Sequence, residues 1–197
     1  MNKPSLKLIT AILIISFFSC KPKATKGTTL GAFIILRDQA AASTQKTDTT
    51  LLNFRFGMNR DEVKRKFKEL EADSTIYFDD LEKCYCYVLN TGKTGNESKI
   101  NCRIVPFFYK EELFTVSFAS YQQGGKAIDG ETDFLAMNSY IENKYGICHV
   151  SFWPASESLS PFNVWFFNNE IFMVYQNEEG AVLQFTDAVR EIERSKL

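Results

Sequence analysis

Two aromatic runs joined by a pair of asparagines constrain the fold of this chain more than any other segment. Val164–Phe167 and Ile171–Tyr175 each have the length of a strand, and Asn168-Asn169 between them tolerates the positive φ of a tight hairpin. Successive side chains of a strand point to opposite faces of the sheet, and in these runs both faces are apolar. Either helices cover both faces of this sheet, or one face is a docking groove.

The docking alternative depends on three aromatic side chains, because these would line the groove. We take Trp153, Trp165 and Phe167 as the candidate interaction residues. The core alternative instead pairs Trp165 with Phe172 across the hairpin. Since 14% of the residues are aromatic, the composition is that of a folded chain with a large apolar interior, and we favour the core alternative.

The clearest helix signal begins at Asn59. Asn59 is a good N-cap, and Glu62 lies three residues later, which is the spacing of a capping box. Met58 and Val63 occupy the positions of a hydrophobic staple around this cap. One apolar face then follows at helical spacing and consists of Val63, Phe67 and Leu70.

Strand patterns and two further helix patterns follow. Leu113–Tyr121 alternates apolar and polar residues, as a half-buried antiparallel strand does. A second helix is expected from Thr132 to a C-terminal Gly146, and Thr186 is a candidate cap for a last helix. This order predicts an α+β fold, mainly an antiparallel sheet with two or three helices, and it suggests a duplicated helix-plus-meander unit.

The first residues have the pattern of an export signal. Lys3 and Lys7 precede the apolar stretch Leu8–Phe18, which is too short for an ordinary membrane-spanning helix. This pattern is the basic region and the apolar region of a secretory signal peptide. An uncleaved N-terminal anchor and cleavage by the ordinary signal peptidase are the two alternatives to lipoprotein processing.

The end of this stretch, FFSC, resembles the lipobox of bacterial lipoproteins. The small Ser19 fits the family, whereas Phe17 stands where the family most often has Leu. The resemblance implies that Cys20 becomes the first residue of the mature protein and carries the lipid, including palmitate. In that family an acidic residue behind the Cys often marks retention in the inner membrane or, in some bacteria, export to the surface. No acidic residue occurs at positions 21–23, so the resemblance implies the periplasmic face of an outer membrane.

These signals divide the chain into three parts. We assign residues 1–19 to a signal peptide, 20–50 to a lipidated N-terminus and tether, and 51–197 to a single α+β domain. Within the tether, the apolar run Leu30–Leu36 predicts a buried or edge strand, or a segment lying on the membrane surface. Ala40–Thr50 contains no bulky apolar residue and is interpreted as linker.

A second resemblance lies at the start of the domain. The segment Phe54–Val63, FRFGMNRDEV, resembles the strand–Gly-Met–helix entry of small lipoproteins of the outer-membrane β-barrel assembly machinery. It covers about ten residues, and the physics of helix capping accounts for them without a shared function.

Charge and motifs exclude several classes of function. The 23 Lys and Arg nearly balance the 24 Asp and Glu, and removal of residues 1–19 leaves 21 basic and 24 acidic residues, a net charge of −3. A nucleic-acid partner is not expected, because it would require a basic face. The single histidine, His149, lies in a strand-like segment and is interpreted as a sheet residue. We expect no catalytic residues, no metal site and no cofactor.

The cysteines leave more than one state open. Cys84 and Cys86 lie two residues apart, so they share one face of a strand. If strand 84–89 pairs with 100–106, Cys86 falls opposite Cys102 and within disulfide reach. Free buried thiols, a Cys86–Cys102 disulfide, and metal or redox chemistry that could include Cys148 remain as alternatives.

The sequence predicts a lipid-anchored cell-envelope protein with a non-catalytic α+β binding domain. Its expected partners are the membrane, through the lipid on Cys20, and an envelope protein or a cell-wall component. One alternative is an envelope thiol or redox enzyme that uses Cys84, Cys86 or Cys102. The other is a small-ligand carrier with an aromatic pocket. A reactive thiol of low pKa would favour the enzyme.

Overall fold

A computed structural model describes residues 30–47, 49–92, 99–121, 129–152 and 160–196. In these ranges eight antiparallel strands form one sheet, accompanied by four α-helices. The helices are α1 (Leu30–Ala41), α2 (Arg60–Ala72), α3 (Gly130–Tyr145) and α4 (Ala188–Arg194). The strands are β1 (Tyr77–Asp79), β2 (Cys84–Asn90), β3 (Lys99–Tyr109), β4 (Glu112–Ser120), β5 (Val150–Phe152), β6 (Phe162–Phe167), β7 (Glu170–Asn177) and β8 (Gly180–Asp187).

The strand order β1-β2-β3-β4-β8-β7-β6-β5 divides the sheet into two meanders. Each meander follows a helix, α2 before β1–β4 and α3 before β5–β8. The last strands of the two meanders, β4 and β8, pair in the middle of the sheet, with Thr115 opposite Thr186. The predicted α+β class and antiparallel sheet are confirmed, and the order of elements is that of the predicted helix-plus-meander unit repeated once.

The helix predicted from Asn59 is α2, and it begins with the predicted capping box. The Asn59 side chain accepts hydrogen bonds from the backbone N–H groups of Asp61 and Glu62, each at 3.0 Å. The Glu62 carboxylate in turn accepts from the Asn59 N–H at 2.8 Å. These bonds satisfy donors that the first helical turn leaves without partners. The predicted apolar face, Val63, Phe67 and Leu70, is buried.

The main core lies between one face of the sheet and the helices α2 and α3. Trp165 is 0% exposed in this core, and its indole N–H donates to the Gly146 carbonyl oxygen at 2.8 Å. The predicted register across the hairpin is present, because Trp165 lies opposite Phe172. Trp165 is therefore a core residue, and it is not available as an interaction residue on the surface.

The segment Leu30–Leu36 is helical, so the strand predicted there is wrong. It forms most of α1, which packs on β6, β7 and α4 and covers the second face of the sheet. Phe33, Leu36 and Ala40 recur at helical spacing and contact the apolar cluster around Val164. An unbroken apolar run does not distinguish helix from strand, and here the uncovered sheet face selected the helix.

The linker predicted over Ala40–Thr50 is partly structured and is hydrogen-bonded to the sheet. The Thr47 backbone N–H donates to Asn169 Oδ1 at 2.6 Å, and Asn168 Nδ2 donates to Thr47 Oγ1 at 2.7 Å. The two asparagines of the β6–β7 turn therefore hold this segment as well as forming the turn. The packed part of the chain starts with α1, before the position Leu51 expected from the sequence.

We predict that Asn59→Ala lowers the free energy of unfolding by about 1 kcal/mol, because the first turn of α2 loses its cap. Asn59→Asp is the matched control, since a carboxylate accepts the same hydrogen bonds and should retain most of the stability. Urea unfolding followed by circular dichroism measures both variants. Equal midpoints for Asn59→Ala and the parent would contradict the cap.

We also predict that Phe33→Ala destabilises the protein by about 2 kcal/mol, less than the full cost of deleting a buried ring because Phe33 is half-buried. Its ring lies 5.7 Å from that of Phe166, centroid to centroid. Ile35→Ala on the same helix is the control, because Ile35 is 59% exposed and should change the urea midpoint little. Equal effects of the two changes would show that α1 does not pack on the sheet.

Candidate functional site

The first candidate site is a pair of thiols on β2. Cys84 and Cys86 lie two residues apart and point to the same face of the sheet, the face opposite the main core. Their sulfur atoms are 3.6 Å apart. Cys86 is 0% exposed, whereas Cys84, the first residue of the strand, is partly exposed.

Neighbouring strands surround this pair with tyrosine and carboxylate side chains. On β1, Tyr77 lies opposite Cys86 and Asp79 lies opposite Cys84. The hydroxyl groups of Tyr77 and Tyr121 are 2.7 Å apart, and the Tyr121 hydroxyl donates to Asp79 Oδ2 at 3.4 Å. We call these five residues, together with Arg103, the thiol cluster.

Arg103 brings a positive charge to the thiol cluster from β3, where it lies opposite Cys86. Its guanidinium group forms an ion pair with Glu179, in the turn between β7 and β8. Its Nε atom is buried and makes no hydrogen bond with the described part of the protein. The cluster therefore contains a cation with one donor group still available.

The electrostatics of the cluster oppose nucleophilic chemistry by its thiols. Burial, followed by the hydrogen bond to Cys86, raises the pKa of the Cys84 thiol to about 12. Burial also raises the pKa values of Cys102 and Cys148. A catalytic thiol needs the opposite shift, because the thiolate is the nucleophile. The thiols of Cys84, Cys102 and Cys148 are therefore protonated at neutral pH.

The Cys86–Cys102 disulfide, one of the alternatives that the sequence left open, is not present in the structure. Cys86 lies opposite Arg103, and Cys102 lies opposite Tyr87, so the register differs by one residue from the expected one. A slip of one residue moves a side chain to the other face of the sheet, and Cys102 therefore points into the main core. All four cysteines in the described residues are free.

His149 lies near the opposite edge of the sheet, just before β5, and plays a structural part. Its Nδ1 atom accepts a hydrogen bond from the Phe166 backbone N–H at 3.0 Å. Burial lowers the pKa of His149, so the ring is neutral at pH 7. His149 and the thiol cluster lie in different meanders, and no group of three or more His, Cys, Asp or Glu side chains in the described ranges could hold a metal ion.

The aromatic residues form the second candidate site. Trp153 lies outside the described residues, and Trp165 is in the core. Phe167 is 46% exposed at the end of β6, where its ring packs 5.6 Å from that of Tyr145. Ile147, in the neighbouring segment after α3, is also exposed. Phe167 is therefore the one predicted interaction aromatic that the described structure leaves on the surface.

The thiol cluster includes residues that the sequence did not single out. Tyr77, Tyr121 and Arg103 come from three separate segments, and only the sheet register brings them to Cys86. Asp79 also stabilises the turn that follows β1, since its Oδ1 accepts from the backbone N–H of Leu81 at 2.9 Å. No local motif could have identified the rest of the cluster.

Comparisons with known proteins provide no family for this chain. No protein-family model, curated protein or solved structure matches it. Among the described residues, none of the helices has both the length and the apolar character needed to cross a membrane.

We predict that the Cys84 thiol reacts slowly with an aromatic disulfide reagent at neutral pH. Since its pKa of about 12 lies above the range tested, the rate should rise about tenfold per pH unit between about pH 7 and about pH 10, in proportion to the thiolate. Stopped-flow absorbance measures the rate, and Cys84→Ser identifies the contribution of this thiol. A fast, pH-independent reaction that Cys84→Ser removes would support the thiol-enzyme alternative instead.

Proposed function

We propose that this chain is a lipid-anchored protein of the bacterial cell envelope whose α+β domain is a non-catalytic binding module. The observation that carries the proposal is the pattern of basic residues, apolar stretch, Ser19 and Cys20 at the N-terminus. The thiol of Cys20 is the acceptor that lipid attachment requires. Stable membrane attachment follows from two or more acyl chains, because each buried CH₂ contributes about 0.8 kcal/mol.

The position of α1 supports a domain that works close to the membrane. Only nine residues separate Cys20 from Leu30, the first residue of α1. Even fully extended, the ten Cα–Cα steps from Cys20 to Leu30 span at most roughly 36 Å. Because α1 packs on β6, β7 and α4, the anchor would hold the folded domain within this distance of the bilayer. Partners of such a module would be other envelope proteins or the cell wall.

The chemistry of the described residues supports binding rather than catalysis. Burial raises the pKa values of Cys84, Cys102 and Cys148, and His149 is neutral and hydrogen-bonded to the backbone. Both features oppose the envelope thiol or redox enzyme, which requires an activated thiolate. Aromatic side chains pack on one another in the core, as Phe172 does on Tyr145 and Phe185, which opposes a ligand pocket between them.

We predict that Cys20→Ser abolishes lipid attachment, because serine lacks the thiol that accepts the diacylglycerol. The measurement is incorporation of labelled palmitate in growing cells, together with fractionation of the envelope. Cys148→Ser is the matched control, since it also removes one thiol and should leave labelling unchanged. The lipoprotein assignment is refuted if the Cys20→Ser protein still incorporates the label.

A further inference from the structure

We propose that Cys84 and Cys86 together bind one thiophilic monovalent metal ion of the Cu(I) class. This site goes beyond the binding module proposed above and does not depend on acylation of Cys20. It rests on the spacing of the two sulfur atoms, on the partial exposure of Cys84 and on the charge beside the pair.

The sulfur spacing suits two ligands of one ion. The two Sγ atoms are 3.6 Å apart, and two metal–thiolate bonds of about 2.3 Å, the length found with zinc, span about 4.6 Å in a straight line. Rotation of the side chains by about 1 Å at the sulfurs therefore gives a linear two-coordinate site. Both side chains already point to one side of β2, so an ion can bind without a change in the strand. Two S–H bonds break and both protons leave to solvent, while two metal–sulfur bonds form and no electron is transferred.

An ion can reach the pair from the surface. Cys84 is partly exposed at the first residue of β2, and β1, the strand next to it, has only three residues and forms the edge of the sheet. Cys86 is fully buried behind it. The pair therefore offers one accessible sulfur and one sheltered sulfur, as a site that captures an ion from solution requires.

Arg103 supplies the charge that such a complex needs. Two thiolates and one monovalent cation carry a net charge of −1, which is costly to leave uncompensated in a partly buried site. The Arg103 guanidinium, opposite Cys86 on β3, provides the balancing charge, and its buried Nε–H lacks a hydrogen-bond acceptor in the described structure. A thiolate sulfur formed when the metal binds would be a negatively charged acceptor for the Arg103 Nε–H. Glu179 holds the guanidinium group from its other side.

The donor set selects a soft ion with few ligands. Structural zinc sites take four ligands, whereas the described residues contain no cluster of three or more metal-binding side chains. His149, which could have been a further ligand, lies just before β5 at the far edge of the sheet. Thiolate ligands select Cu(I). Two thiolates complete the coordination of Cu(I), whereas they leave a structural zinc ion two ligands short.

The test measures competition for Cu(I) under anaerobic conditions. The full acylated chain in detergent, with its thiols reduced, is titrated into the coloured complex of Cu(I) with bicinchoninic acid. We expect the parent protein to remove one equivalent of copper from the chelator. Cys84→Ser and Cys86→Ser should each lower the affinity at least tenfold, while the matched control Cys148→Ser should bind like the parent.

Two further measurements keep the result independent of folding. Circular dichroism establishes that each serine variant retains the fold, and X-ray absorption at the copper edge should show sulfur ligands in the parent. Arg103→Gln should weaken binding by about 10–100-fold, as the loss of an outer partner of a metal site does.

Unchanged copper affinity in a folded Cys84→Ser/Cys86→Ser double variant would overturn the proposal, and so would a reduced parent protein that takes no copper. Either result leaves palmitate labelling of Cys20 unaffected, so the two proposals fail separately.

Discussion

The pairing of β4 with β8 is the interaction on which the rest of the structure depends, because it joins two meanders into one sheet. Both strands are buried on both faces along most of their length, and polar groups on one face are satisfied across the seam. The hydroxyl groups of Thr115 and Thr186 are 3.0 Å apart, and on the other face the rings of Phe118 and Phe185 are in contact. Because an eight-stranded sheet has two large faces, this seam also creates the need for helices on both sides.

The four helices meet this need in two different ways. The helices α2 and α3 precede their own meanders and cover the main core, so local sequence order determines their position. The helix α1 instead precedes both meanders in the chain and covers the β6–β7 part of the other face. The most N-terminal segment that the structure describes thus completes the core. Loosening of α1 would then lower the stability of the domain.

Local patterns in the sequence predicted the elements whose boundaries depend on neighbouring residues. The cap at Asn59 and the turn at Asn168-Asn169 are examples, since each acts through backbone groups a few residues away. The α1 helix was missed because its apolar run has no polar face, and only the uncovered sheet shows that a helix is needed. The position of Cys102 was missed because loop composition does not determine register, and a slip of one residue changes the face.

The geometry of the thiol cluster could not be predicted from local sequence patterns. The spacing of Cys84 and Cys86 indicates one face of a strand, but the distance between their sulfurs depends on side-chain rotamers and on the turn before β2, where Lys83 has a positive φ. The cluster also lies in the first meander, whereas α1 packs on the second. Four strand spacings separate β2 from β7, which is roughly 20 Å at about 4.8 Å per strand. An occupant of the thiol cluster would therefore leave the α1 contacts untouched, and the proposed metal site can fill without a change in the packing of α1.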